Sequence, residues 1–251
     1  PPERMLGAAR ASGIIPVGRT VESSILRMLE IGASAIQVPQ VNSAEQARRI
    51  VAEAKYPPLG TRGAAFSTRA AGYGFFGGDR HVADSNAGTA VIVMTETRTA
   101  IEHLDEILSV PGIDAVFFGP NDLSFSFGHP AQPGHPEVVA AIEHGIARAL
   151  AHGVAPGVLA VSPDDFHRWR RKGCRYLPMV LSGLLGNALR TTGAAASRTS
   201  AGAKGDKYCE GGFFSNALRS TDCTVSSFNR PSRAIVSGMS APAGPRSQTL
   251  R

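Results

Sequence analysis

The chain has 251 residues, 43% hydrophobic and 18% charged, which suits one large α/β domain or two small ones. The net charge of +6 lies mostly beyond Thr191, so the part with folded-domain patterning is nearly neutral and a nucleic-acid partner is disfavoured. No run of about 18 apolar residues predicts a membrane span. Cys174, Cys209 and Cys223 show no metal-type spacing, which fits a reducing, cytoplasmic setting. The start at Pro1-Pro2-Glu3-Arg4 lacks both Met and a signal-peptide pattern and reads as a cut end.

From Gly13 to Arg190, strand and helix patterns alternate. Ile14 to Arg19 is a short apolar strand candidate, followed by a helix with Ile25, Met28 and Leu29 on one face. Gly32 sits where a left-handed helix stop suits glycine. Ala35 to Val41 is apolar on both faces, as in a buried parallel strand. Ser43 with Gln46 forms a capping-box signal for a helix carrying Ala44, Ala47, Val51 and Ala54. The Pro- and Gly-rich stretch from Tyr56 to Gly78 predicts a long irregular loop, with a short helix near Arg80 to Asn86. Strand Ala90 to Thr95, helix Thr99 to Leu108 and strand Ala115 to Phe118 come next. Helix Pro136 to Ala151, strand Pro156 to Ala160, helix Pro163 to Arg171, strand Tyr176 to Val180 and a final short helix, Ser182 to Arg190, complete the series. Six βα units specify a parallel sheet covered by helices, either an open doubly wound sheet or three-quarters of an eight-stranded barrel. No G-x-G-x-x-G follows the first strand, which disfavours the dinucleotide-binding version.

Two strand ends carry the chemistry. Glu96 ends Val91-Ile92-Val93-Met94-Thr95, and Asp122 follows Val116-Phe117-Phe118-Gly119-Pro120. Parallel βα arrays gather their active sites where strands end at the carboxyl side. Two carboxylates side by side repel unless one holds a proton or a cation sits between them, and oxygen ligands favour Mg²⁺ or Mn²⁺. The plainer alternative, equally open from spacing, is that Glu96 caps a helix and Asp122 makes a turn. Gly119 allows close approach of a ligand to the backbone, with the amides of Asn121 and Asp122 available to an anion; a simple turn fits equally well.

Gly119-Pro120-Asn121-Asp122-Leu123-Ser124, preceded by Glu96-Thr97, resembles the HpcH/HpaI aldolase family of class II, metal-dependent pyruvate aldolases. Gly32-Ala33 leading to Val38-Pro39, Tyr56-Pro57-Pro58-Leu59-Gly60-Thr61-Arg62-Gly63, Pro111-Gly112-Ile113-Asp114 and His135-Pro136-Glu137-Val138 extend the likeness from about Gly13 to Arg190. The resemblance implies a (β/α)8 TIM barrel, here without its first two βα units. It implies that Glu96 and Asp122 ligate a divalent cation (Mg²⁺, Mn²⁺ or Co²⁺). Substrate would be bound at Gly119, Asn121 and Asp122, and Arg19 of Pro16-Val17-Gly18-Arg19 would stabilise an enolate oxygen. It further implies aldol cleavage of 4-hydroxy-2-keto acids to pyruvate and an aldehyde, in a homo-oligomer of trimer or hexamer type.

Departures accompany the likeness. The stretch from Arg19 to Gly32 is about three residues short of the family pattern, Leu181-Ser182-Gly183 replaces a Gly-Ser-Asp-like stretch, and Pro178 interrupts the last strand. The family's catalytic histidine belongs to an earlier strand, and none of the seven histidines matches its motif. His129 and His135 flank a loop and are the two that could approach the rim; His103, His144, His152 and His167 are expected to face solvent. Residues 1–190 thus form the expected partial barrel domain. Residues 191–251 form a basic low-complexity tail, expected to be disordered. Two rivals to the aldolase are a non-catalytic fragment lacking its base and a nucleic-acid-associated protein using the basic tail.

Overall fold

The computed structural model describes residues 2–202. Helix α1 (Pro2–Ala11) opens the chain and was not expected from the sequence. Pro2 suits a first helical position and Glu3 lies in the first turn, but Leu6 is its one buried residue, so the apolar periodicity is weak. Strand β1 (Val17–Arg19), helix α2 (Ile25–Glu30), strand β2 (Ala35–Val38) and helix α3 (Ala44–Ala54) follow. The capping signal is realised: Ser43 Oγ accepts from the Gln46 amide at 3.2 Å, while Gln46 Oε1 accepts from the Asn42 amide at 3.0 Å. The irregular stretch contains a short 3-10 turn at Arg69–Gly74 and then enters α4 (Gly78–Gly88). Its entry is pinned by Asn86, whose side chain binds both the amide and the carbonyl of Tyr56.

Strand β3 (Ala90–Thr95), helices α5 (Arg98–Glu102) and α6 (Leu104–Leu108) and strand β4 (Ala115–Phe118) come next. Helix α7 (Pro120–Ser126) occupies the stretch for which a simple turn is the plainer alternative from the sequence. Helix α8 (Pro136–Ala151), strand β5 (Ala155–Val158) and helix α9 (Pro163–Arg171) precede the long α10 (Leu181–Gly202). Two expectations are corrected. The sixth strand, Tyr176 to Val180, is reduced to one parallel bridge between Tyr176 and Gly157, extended by amide bonds from Val158 to Tyr176 and from Ala160 to Pro178. Pro178 has no amide to return, so the ladder cannot run both ways there. The final short helix expected at Ser182 to Arg190 runs longer, as α10. Its hydroxyls at Thr191 and Thr192 bind back to the carbonyls of Asn187 and Ala188, and alanine-rich sequence follows. Expectations for residues 203–251 lie outside the described residues.

The sheet is fully parallel, in the order β1-β2-β3-β4-β5. Strictly sequential order is that of a barrel wall; an open doubly wound sheet reverses direction at a switch point. Side chains alternate between two apolar layers. Val91, Val93, Val116 and Phe118 face the helices, packing on Ile50, Leu104, Ile142 and Ile146, whereas Ile92, Met94, Phe117 and Tyr176 fill the opposite face. On that inner face the Tyr176 hydroxyl donates to Gln37 Oε1 at 2.7 Å, and both residues are buried. Their strands stand four places apart, about 19 Å in a flat sheet at the usual strand spacing. Direct contact therefore requires the sheet to curl, as a barrel wall does.

Removing that hydroxyl leaves a buried Gln37 oxygen without its donor. Tyr176→Phe is expected to cost about 1–3 kcal/mol of stability, read from the urea midpoint. An unchanged midpoint would show that the contact does not hold the curl.

Candidate active site

The curl aims the strand ends at one rim. Thr95 pairs in register with Phe118, so Glu96 and Gly119 leave the sheet side by side. Glu96 is 1% exposed. Its Oε1 accepts from the backbone amide of Gln40, just beyond β2, at 3.1 Å. Gln40 takes a left-handed conformation (φ 59°), uncommon for a residue other than glycine, and this turns its amide toward the carboxylate. The second oxygen, Oε2, is buried without a hydrogen-bond partner among the described residues.

Glycine at 119 leaves room for this packing. A Cβ there would lie 2.8 Å from Glu96 Oε2 and 3.6 Å from Asp122 Oδ2, so both carboxylates face the same space. Asp122 stands in the first turn of α7, which Pro120 starts at a position where its missing amide costs nothing. The first backbone bond of this helix runs from Leu123 to Gly119, leaving the amides of Asn121 and Asp122 free of helical partners. Burial first, and then the neighbouring Asp122 charge, push the Glu96 carboxyl above its ordinary range, against the opposing pull of the Gln40 amide and Arg19. Arg19, exposed at the end of β1, is thus electrostatically coupled to the same carboxylate.

A buried oxygen with no donor, facing a second carboxylate across a glycine, is a donor set in search of a cation. The arrangement fits a hard divalent ion. The capping duty considered for Glu96 falls to its neighbour, since the Thr97 hydroxyl accepts from the Ala100 amide at 3.0 Å.

Other side chains lie elsewhere. Arg62 is 6% exposed and stacks over the Tyr56 ring at 4.4 Å. Trp169 is buried in the core, and Cys174 is buried with its thiol pushed up to about 12, which suits a structural role. His103, His144 and His167 are exposed, and His152 is half-buried against Asp105. His129 and His135 turn toward Glu137. That grouping was missed in the sequence, although the His-Pro-Glu run at the start of α8 was in view.

The model of the HpcH/HpaI aldolase/citrate lyase family matches residues 5–183. A curated relative, 2-keto-3-deoxy-L-rhamnonate aldolase of Escherichia coli strain K12, is 48% identical over 174 residues, covering 68% of this chain and 64% of its own length. The chain thus spans just under two thirds of that relative. Among solved structures, an HpcH/HpaI aldolase/citrate lyase family protein from Burkholderia cenocepacia J2315 superposes with a TM-score of 0.73 at 28% identity, covering 78% of this chain and 79% of its own. The HpcH/HpaI aldolase of Desulfitobacterium hafniense DCB-2 gives 0.67 at 30% identity, covering 78% and 76%.

The raised Glu96 value has a consequence for stability. A buried carboxyl whose folded value exceeds its unfolded one destabilises the fold above the folded value, and this penalty fades as pH falls from the folded value toward the unfolded one and is gone below it. Glu96→Gln keeps an acceptor for Gln40 and removes the charge. In a chelating buffer it is expected to melt higher than the parent at pH 8, with the gap closing on acidification. A lower melting temperature at pH 8 would contradict this electrostatic reading.

Proposed function

This chain belongs to the HpcH/HpaI aldolase/citrate lyase family, and we propose that it serves divalent-metal-dependent aldol cleavage of 4-hydroxy-2-keto acids to pyruvate and an aldehyde. The observation that carries this is the buried, unpartnered Glu96 Oε2 facing Asp122 across Gly119. Glu96 and Asp122 hold the cation, for which Mg²⁺, Mn²⁺ and Co²⁺ are the candidates. When bound, it supplies Lewis-acid stabilisation of negative charge on an oxygen of the substrate.

The chain's own residues do the rest. The Asn121 and Asp122 amides and the open face of Gly119 receive the substrate carboxylate. Arg19 sets a guanidinium beside the former keto oxygen. As the C3–C4 bond breaks, its electron pair passes into the enolate, and a fixed positive group there lowers the barrier without reorganising. The 4-hydroxyl surrenders its proton as the aldehyde forms, and C3 regains one to give pyruvate. No residue of this chain is assigned as the base, because none of its seven histidines matches the family's catalytic motif. A 2-keto-3-deoxy sugar acid, the class printed in the name of the Escherichia coli relative, has the required carbonyl at C2 and no hydroxyl at C3.

The proposal extends to a homo-oligomer of trimer or hexamer type in the cytoplasm. The exposed apolar group Tyr73, Phe75 and Phe76, with Phe75 89% exposed, supports self-association. Among the described residues no helix is long and apolar enough to cross a membrane.

Asp122→Asn is expected to lower metal-dependent pyruvate release from a 2-keto-3-deoxy acid at least about 100-fold, with the circular dichroism spectrum unchanged. Coupled lactate dehydrogenase reports the pyruvate. Full turnover in the variant, or in excess chelator, would refute the assignment.

A further inference from the structure

We propose that His129, His135 and Glu137 form a second cation site, for a zinc-class divalent ion, separate from the Glu96–Asp122 rim. One ligand atom from each of the three lies within 4.8 Å of the other two. His129 Nε2 stands 2.8 Å from Glu137 Oε2. The two imidazoles are stacked, with ring centroids 3.4 Å apart and an 18° interplanar angle.

The segment is folded to produce this meeting. The Gln132 amide binds the His129 carbonyl and the His135 amide binds the Gln132 carbonyl, so successive turns return the chain to the start of α8. Glu137 stands in the first turn there, and its other oxygen is held by Arg98 Nη2 at 3.0 Å, with that guanidinium stacked on Phe127 at 4.1 Å. A carboxylate fixed through its far oxygen is the usual support behind a metal ligand.

The donor types separate this site from the rim. Two imidazole nitrogens and one carboxylate suit Zn²⁺ or Co²⁺, whereas a pair of carboxylates suits Mg²⁺ or Mn²⁺. Tetrahedral bonds of about 2.0–2.2 Å put ligand atoms about 3.3–3.6 Å apart, so binding draws the three atoms together and splays the stacked rings until their in-plane lone pairs converge on the ion. Binding displaces the hydrogen shared between His129 and Glu137. The ion also braces α7, because the Ser124 carbonyl accepts from the His129 amide at 2.7 Å and Ser126 Oγ accepts from the Arg98 amide at 2.8 Å.

The test is calorimetric titration of the 251-residue chain with Zn²⁺ in excess Mg²⁺, alongside Co²⁺ absorption spectra. The parent is expected to take up one Zn²⁺ equivalent under these conditions, and Asp122→Asn is expected to retain it. His129→Gln and His135→Asn are expected to lose it or bind at least about 10-fold more weakly. Asparagine keeps an acceptor for capping α8, so the second variant preserves the fold; circular dichroism checks this, and His129→Gln decides alone if it does not. Parent-like Zn²⁺ affinity in His129→Gln, or no Zn²⁺ uptake by the parent, would overturn the proposal. Neither result bears on the rim, which is read separately from the Mg²⁺ response of Asp122→Asn.

Discussion

The bond between Tyr176 and Gln37 expresses the constraint on which everything else rests, namely that this parallel sheet must curl. Parallel strands buried on both faces need an apolar layer on each side. The helices supply one layer, and the sheet supplies the other by bending until its own inner side chains meet. Ile92, Met94, Phe117 and Tyr176 are buried by this means. Curling also converts a row of strand ends into a rim. Arg19 ends β1, Glu96 follows β3, and Asp122 stands just beyond β4, so groups far apart along the chain share one electrostatic neighbourhood.

Within that neighbourhood the fold accepts an unfavourable arrangement. A carboxylate is held in the protein interior with one oxygen satisfied by a backbone amide and the other by nothing among the described residues. Burial and Asp122 both oppose its ionisation, and Arg19 and Gln40 relieve this only in part. Buried polar groups left in this state are costly, and they concentrate where a ligand supplies the missing partner. On the proposed metal reading, the stability of the fold and the affinity for a cation are opposed at Glu96.

Much of this was legible in the sequence, for identifiable reasons. The apolar runs at Ala35 to Val38, Ala90 to Thr95 and Ala115 to Phe118 became strands because both sheet faces are buried and every residue counts. Glu96 and Asp122 stand out because each is an acid placed just after an apolar strand run. Helix α7 escaped because Asn121, Asp122, Ser124 and Ser126 are poor helix formers; the Gly-Pro start and the first-turn acid were its signal. The burial of Arg62, a loop residue covered by the Tyr56 ring, has no periodic signal to announce it. The meeting of His129, His135 and Glu137 depends on turns that bring side chains together without any periodic pattern, which sequence spacing does not reveal.

The left-handed backbone at Gln40 has an evolutionary corollary. Glu96 is oriented by a main-chain amide, so the side chain at position 40 is not what aims it. Drift at this position should be filtered by conformation rather than by chemistry. Glycine and asparagine pass easily because they enter the left-handed region at little cost, β-branched residues pass poorly, and proline fails twice, having neither the amide nor the permitted φ. A position that varies freely in polarity yet never admits proline would be the mark that selection leaves on a backbone ligand.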